Sequence, residues 1–124
     1  MDKDEILNVL KESEIDALVA QNIFGLAIVK LEDASCPYCG DEMRFCGSRS
    51  WCAICSEWRY SPYKEYTNDI SAAWEVVEKL KELKPIINYD PASKKWYMRF
   101  NGGEFQSAET APLAILRAAL LITL

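Results

Sequence analysis

The sequence predicts an α+β fold carrying a small metal-held insert, on three observations. First, four cysteines form two Cys-x-x-Cys pairs, Cys36-Pro37-Tyr38-Cys39 and Cys52-Ala53-Ile54-Cys55, separated by the twelve residues from Gly40 to Trp51. Second, three segments, near residues 4–24, 68–84 and 110–122, repeat apolar residues at the period of a helix. Third, two short runs between the second and third helices are rich in branched and aromatic residues and are bounded by turn residues, which reads as a hairpin. The 124 residues suit one domain, expected over residues 1–124, with residues 36–60 inserted in it. Half the residues are apolar, enough for a packed core.

In the first segment Ile6, Leu7 and Leu10 form one apolar stripe, and Ile15, Leu18, Val19 and Ile23 form another. Ser13 followed by Asp16 resembles a capping arrangement, so two helices with a break near Ser13 are expected. Asp2, Asp4 and Glu5 sit where a helix N-terminus favours negative charge. The charges of this segment, Asp16 included, read as a solvated face, and Gly25 as the stop. Leu26 to Leu31 is a short apolar run and reads as a strand.

In the cysteine segment, Glu42–Cys46 and Ser50–Cys52 read as arms of a hairpin turning at Gly47-Ser48-Arg49, and Glu57–Tyr60 as a further strand. Ser61 to Thr67 reads as a linker. The next helix is capped by Thr67 or Asn68, with Asp69 placed for the dipole. Ile70, Ala73, Trp74, Val77 and Leu80 mark its buried face, and Pro85 ends it. Ile86–Tyr89 and Trp96–Phe100 read as paired strands around the turn Asp90–Ser93, and Asn101-Gly102-Gly103 as a second turn. The last helix starts near Thr110 and has Arg117 as its one charge, so it is expected to be covered nearly all round.

Two Cys-x-x-Cys turns brought together by a hairpin place four soft ligands at the corners of a tetrahedron, the layout of a zinc ribbon. Cys36, Cys39, Cys52 and Cys55 are therefore the expected ligands of a structural zinc. Iron in a rubredoxin-like site and redox dithiols are the competing readings. Four thiolates close the shell, whereas a catalytic zinc keeps a position open and uses His or a carboxylate. So short a segment cannot build a core of its own, so metal binding is expected to supply its folding free energy. Zinc with four thiolates leaves a local charge of −2, which Arg44, Arg49 or Arg59 can partly offset. Cys46 is expected to stand beside the hairpin as a bystander.

The chain holds no His, which removes the commonest general base. Asp41-Glu42 and Glu75 with Glu78 read as surface residues, and no Gly-rich phosphate loop is present. An enzyme is not expected. Trp51, Trp58, Tyr60 and Tyr63 cluster beside Arg49 and Arg59. Such a set can stack a base, or can cover the ribbon against the main sheet. Arg49, Trp51, Trp58, Arg59 and Tyr60 are the candidate ligand-binding residues, while Trp74 and Trp96 read as core. The net charge is −5, all of it contributed by residues 1–35, and the rest of the chain balances. A non-specific nucleic-acid binder needs surplus Lys and Arg, so nucleic acid is disfavoured as a partner. No apolar run reaches membrane-spanning length and the acidic start is unlike a signal peptide, so no membrane contact and a cytoplasmic location are expected. In that compartment thiols stay reduced.

Three stretches carry a resemblance to a family. Asn68 to Leu80 (NDISAAWEVVEKL) resembles the central helix motif of the phage ABA-sandwich domain family. Ala108 to Leu120 (AETAPLAILRAAL) resembles its closing helix, and Ile15 to Ala20, ending at Phe24-Gly25, is similar to its opening helix. The resemblance implies helices on both faces of an antiparallel sheet, an α/β/α sandwich, in a small phage or prophage protein of the host cytosol. It also implies a cysteine-paired insertion before the central helix, which Cys36 to Cys55 matches. The family offers no catalytic residues to carry over. The expected function is a non-catalytic, zinc-stabilised binding module acting on a host or phage protein. The alternatives are an anti-defence protein that sequesters a small signalling nucleotide, as a homo-oligomer with a pocket between protomers, and a nucleic-acid-binding zinc ribbon.

Overall fold

In the computed structural model, which describes residues 10–123, the chain alternates helices with two three-stranded antiparallel meanders. Helix α1 spans Glu12–Asn22. A 3-10 turn at Leu31–Asp33 leads to the ribbon strands β1 (Arg44–Cys46), β2 (Arg49–Cys52) and β3 (Glu57–Arg59). Helix α2 (Ile70–Lys79) and a 3-10 turn (Lys81–Leu83) precede the second sheet, β4 (Ile86–Asp90), β5 (Lys95–Arg99) and β6 (Gln106–Ala108), and helix α3 (Ala111–Thr123) closes the chain. The class is α+β, as expected. The acids Asp2, Asp4 and Glu5 and the stripe residues Ile6 and Leu7 lie outside the described residues.

Helix α3 organises the core. Ala114, Ile115, Leu116, Ala118, Ala119 and Leu120 are all buried, which matches a helix with a single charge. It packs on β5 and β6 along one face of the second sheet and takes α1 and α2 against its other sides. Ile15 and Val19 from α1, Val76 and Val77 from α2, and Met98 and Phe100 from the sheet complete the cluster. The Arg117 guanidinium donates through Nη1 to the Ser107 carbonyl 3.0 Å away, while its buried Nε has no partner among the described residues. The Thr110 hydroxyl accepts from the Leu113 amide at the helix start.

Several local expectations are corrected. Helix α1 begins after Lys11, whose amide donates to the Glu14 carboxylate, so Ser13 lies inside a helix and caps nothing. Asp16 is no part of a solvated face. It is 3% exposed, and its carboxylate accepts the Thr67 amide at 2.9 Å. This bond ties α1 to the segment that leads into α2. That segment is no simple linker, because Tyr63, Tyr66 and Thr67 are buried and Tyr66 stacks on Phe24 at 5.5 Å. Asp69, rather than Thr67 or Asn68, caps α2 by accepting from the amides of Ser71 and Ala72. The buried stripe is Ala72, Ala73, Val76 and Val77, which keeps Ala73 and Val77 of the expected set but lies rotated toward the Ala72–Val76 side. Ile70 and Trp74 face outward instead, at 52% and 48% exposed.

The apolar run Leu26–Leu31 forms no strand. After Gly25, which adopts φ +68°, the chain runs irregularly and Ile28 is 84% exposed. The Tyr63 hydroxyl holds it by its backbone, accepting from the Val29 amide and donating to the Ala27 carbonyl. Strand β6 was not expected, since Gln106-Ser107-Ala108 lacks apolar alternation. It exists because β5 offers an open edge, pairing Trp96 with Ala108 and Met98 with Gln106. Trp96 is partly buried against the core beside Tyr89, with 5.0 Å between rings.

Candidate metal centre

Each Cys-x-x-Cys pair sits on a tight turn that its own sequence explains. In the first, the Gly40 amide donates to the Cys36 carbonyl at 2.8 Å, and the Cys36 amide to the Asp41 carbonyl. Gly40 takes φ +81°, a backbone geometry a side chain would disfavour. In the second, the Cys55 amide points at the Cys52 sulfur, 3.4 Å away, and Ser56 turns the chain out at φ +55°. The β1–β2 hairpin joins them. Cys46 pairs with Arg49 across a two-residue turn, Gly47-Ser48, with Gly47 at φ +67°. Arg49 is therefore the first residue of β2 and not part of the turn.

The four sulfurs of Cys36, Cys39, Cys52 and Cys55 all lie within 4.8 Å of one another. Cys36 to Cys55 is 3.9 Å and Cys39 to Cys52 is 3.4 Å. A tetrahedral ion with metal–sulfur bonds of about 2.3 Å needs sulfurs about 3.8 Å apart, so the observed spacing fits one ion at the centre. A disulfide needs about 2.05 Å, and all five cysteines are free. Cys36 and Cys52 are buried with Met43, and Cys55 packs against them. Cys39 is exposed, so the site lies at the surface. Cys46 is exposed and stands outside the cluster.

The electrostatics favour an ion bound by sulfur. Burial opposes the Cys36 thiolate, but the amides of Cys39 and Tyr38 outweigh it and bring its pKa down to about 6. Cys39 is pushed up to about 12: the Asp41 amide favours its thiolate, yet desolvation and the bonds to the sulfurs of Cys52 and Cys36 prevail. Cys55 is also raised, against a favourable bond from Cys39, by desolvation and by the other sulfurs. Cys36 thus holds a negative charge readily while Cys39 and Cys55 resist one, and a divalent cation would remove that resistance.

Of the three arginines that can offset the charge, Arg59 is the one in place. It is buried and pairs with Glu57. Burial alone would lower its pKa, and the Glu57 carboxylate together with the nearby Cys36 sulfur raises it instead. Its guanidinium also lies 4.5 Å above the Tyr38 ring, and the Tyr38 hydroxyl accepts the Glu65 amide at 2.9 Å. Tyr38 thus links the first cysteine turn to the segment before α2. Sequence reasoning passed over Tyr38, although its place between Cys36 and Cys39 was the available signal.

The five candidate ligand-binding residues separate. Arg49, Trp51 and Trp58 come together on one ribbon face: the two rings are 5.3 Å apart and the Arg49 guanidinium lies 4.1 Å over Trp58. Arg59 alternates to the opposite face, toward the sulfurs. Tyr60 is exposed just past β3. Tyr63, grouped with these aromatics in the sequence, belongs to the main core. Trp51 and Trp58 do not cover the ribbon against the second sheet. With Phe45 they line an open cleft. Asp41, Glu42, Glu75 and Glu78 are exposed, as expected.

A family model, the phage ABA sandwich domain, matches residues 17–120, running from α1 through the cysteine segment into α3. This chain belongs to the phage ABA sandwich domain family. Within it, the present ABA sandwich protein carries a four-sulfur cluster able to hold a metal ion. No curated protein and no solved structure matches the chain. Among the described residues, no helix of this ABA sandwich protein is long and apolar enough to cross a membrane.

Proposed function

We propose that this protein is a phage accessory protein that works as a non-catalytic binding module, folded around one structural zinc and acting on a host or phage protein in the host cytosol. The observation that carries the reading is the sulfur-only cluster, four cysteine sulfurs within 4.8 Å of one another and matched to a tetrahedral ion. With its shell filled by four thiolates, zinc offers no place for water or substrate. Buried Arg59, whose charge is felt by the Cys36 sulfur, supports the same assignment by balancing the excess negative charge. Ile70 and Trp74, turned outward on α2, give a protein partner an aromatic anchor.

Native mass spectrometry of the protein purified from its host cells tests the reading. It reports metal, subunit number and retained partner together. One zinc per chain and a stoichiometric protein partner, lost in Trp74→Ala, are expected. A metal-free folded chain overturns the zinc assignment, and a chain isolated with zinc but without any partner overturns the binding role. Cys36→Ser is expected to lose the metal and to lower stability sharply.

A further inference from the structure

The ribbon's outer face shows what the metal holds in shape. Antiparallel register sets Arg44 opposite Trp51, and Trp51 opposite Trp58, so the three form one row across β1, β2 and β3. Directly opposed residues point to the same side of a sheet. Phe45, the next residue along β1, lines the edge of the cleft. The Arg49 guanidinium already stacks on Trp58 at 4.1 Å, and the two indoles are tilted by 60° at 5.3 Å. Trp58 is exposed and Trp51 partly so, and no acidic side chain lines the cleft. Among the described residues, neither Arg44 nor Arg49 has a carboxylate partner, and both are exposed.

Two aromatic planes with an edge of unpaired guanidinium fit a flat aromatic ring that carries negative charge. We infer that this face binds a nucleotide, its base laid against Trp51 and its phosphate met by Arg44, with Arg49 supplying a second positive charge. The inference rests on the metal-held ribbon proposed above, because the zinc sets the register that aligns the row. The occupant is a small nucleotide rather than a long strand. The ribbon's third arginine is buried and paired with Glu57. A polymer leaving the face would meet a chain of net charge −5 with no basic track to follow.

Isothermal titration of the zinc-loaded protein tests this with AMP, GMP, CMP and UMP, with the four nucleosides, and with a thymidine oligonucleotide of about 12 residues. At least one mononucleotide binds. Its nucleoside binds about tenfold more weakly, the loss expected when a charged hydrogen bond is removed. Arg44→Ala gives a similar loss, Trp51→Ala abolishes binding, and Trp51→Phe restores most of it. Zinc content is measured on every variant and stays at that of the unaltered protein, which separates loss of the ligand face from loss of the ribbon. Three results overturn the inference: no mononucleotide binding to protein that holds its zinc, equal binding of nucleoside and nucleotide, or affinity that rises with oligonucleotide length. The first leaves the zinc-held module standing.

Discussion

Asp16 shows how one buried carboxylate constrains the molecule. Burial, reinforced by Glu65 and Glu12, raises its pKa from the ordinary value to about 6, although the Thr67 amide pulls it down. Between pH 4 and 6 the folded state therefore holds a proton that the unfolded chain releases. The stability this group contributes is full below the unfolded pKa and is lost as pH rises through about 6. Asp16→Asn keeps an oxygen for the Thr67 amide and removes the titration. Urea unfolding at pH 4 and pH 7 is expected to show the variant gaining about 1 to 2 kcal/mol on the unaltered protein at the higher pH. A constant difference between the two proteins would contradict the raised pKa. The chemistry of Asp16 was illegible in the sequence, because its partner lies 51 residues away. The cysteine pairs were legible because each turn is local.

Elements were read well where their signals were local and misread by small offsets elsewhere. Helix α3 followed from its apolar run, and β4 with β5 from their aromatic and branched residues. Helix α2 lies where its apolar period puts it, but its cap is one or two residues later than expected, and separately its buried stripe uses Ala72 and Val76 in place of the larger Ile70 and Trp74. The deciding residue is Asp69, whose carboxylate accepts from Ser71 at 2.9 Å and Ala72 at 3.3 Å. Asp69→Ala is expected to lower stability by about 1 kcal/mol, read as a fall in melting temperature, whereas Asn68→Ala has a smaller effect. An equal effect of the two would return the cap to Asn68. Leu26–Leu31 and β6 failed for opposite reasons. The first has strand composition but its backbone is held by one tyrosine hydroxyl, and the second has poor composition but a partner edge.

At the scale of the whole molecule, two cores of unequal size share one chain. The larger gathers α1, α2, α3 and the second sheet. The smaller is Cys36, Met43 and Cys52, with Cys55 packed against them. Three buried apolar side chains cannot repay the conformational entropy of ordering residues 36–60, at about 1 to 2 kcal/mol per residue for the backbone alone, so on the proposed reading the ribbon depends on its ion. Removing the metal with a chelator is expected to abolish the near-ultraviolet signal of the Trp51–Trp58 pair while far-ultraviolet helix content persists. Loss of both together would mean that the ion holds the whole fold. The family, the class and the grouping of the four cysteines could all be read before any coordinates. The separation of Arg59 from Arg49 could not, because it depends on strand alternation around the hairpin.

The central claim is that sulfur alone surrounds the ion, and X-ray absorption at the zinc edge of the purified protein tests it most directly. The account predicts four sulfur neighbours at about 2.3 Å and no lighter atom in the shell. A shell containing an oxygen or nitrogen at about 2.0 to 2.1 Å would mean an open or exchangeable position, and would contradict it.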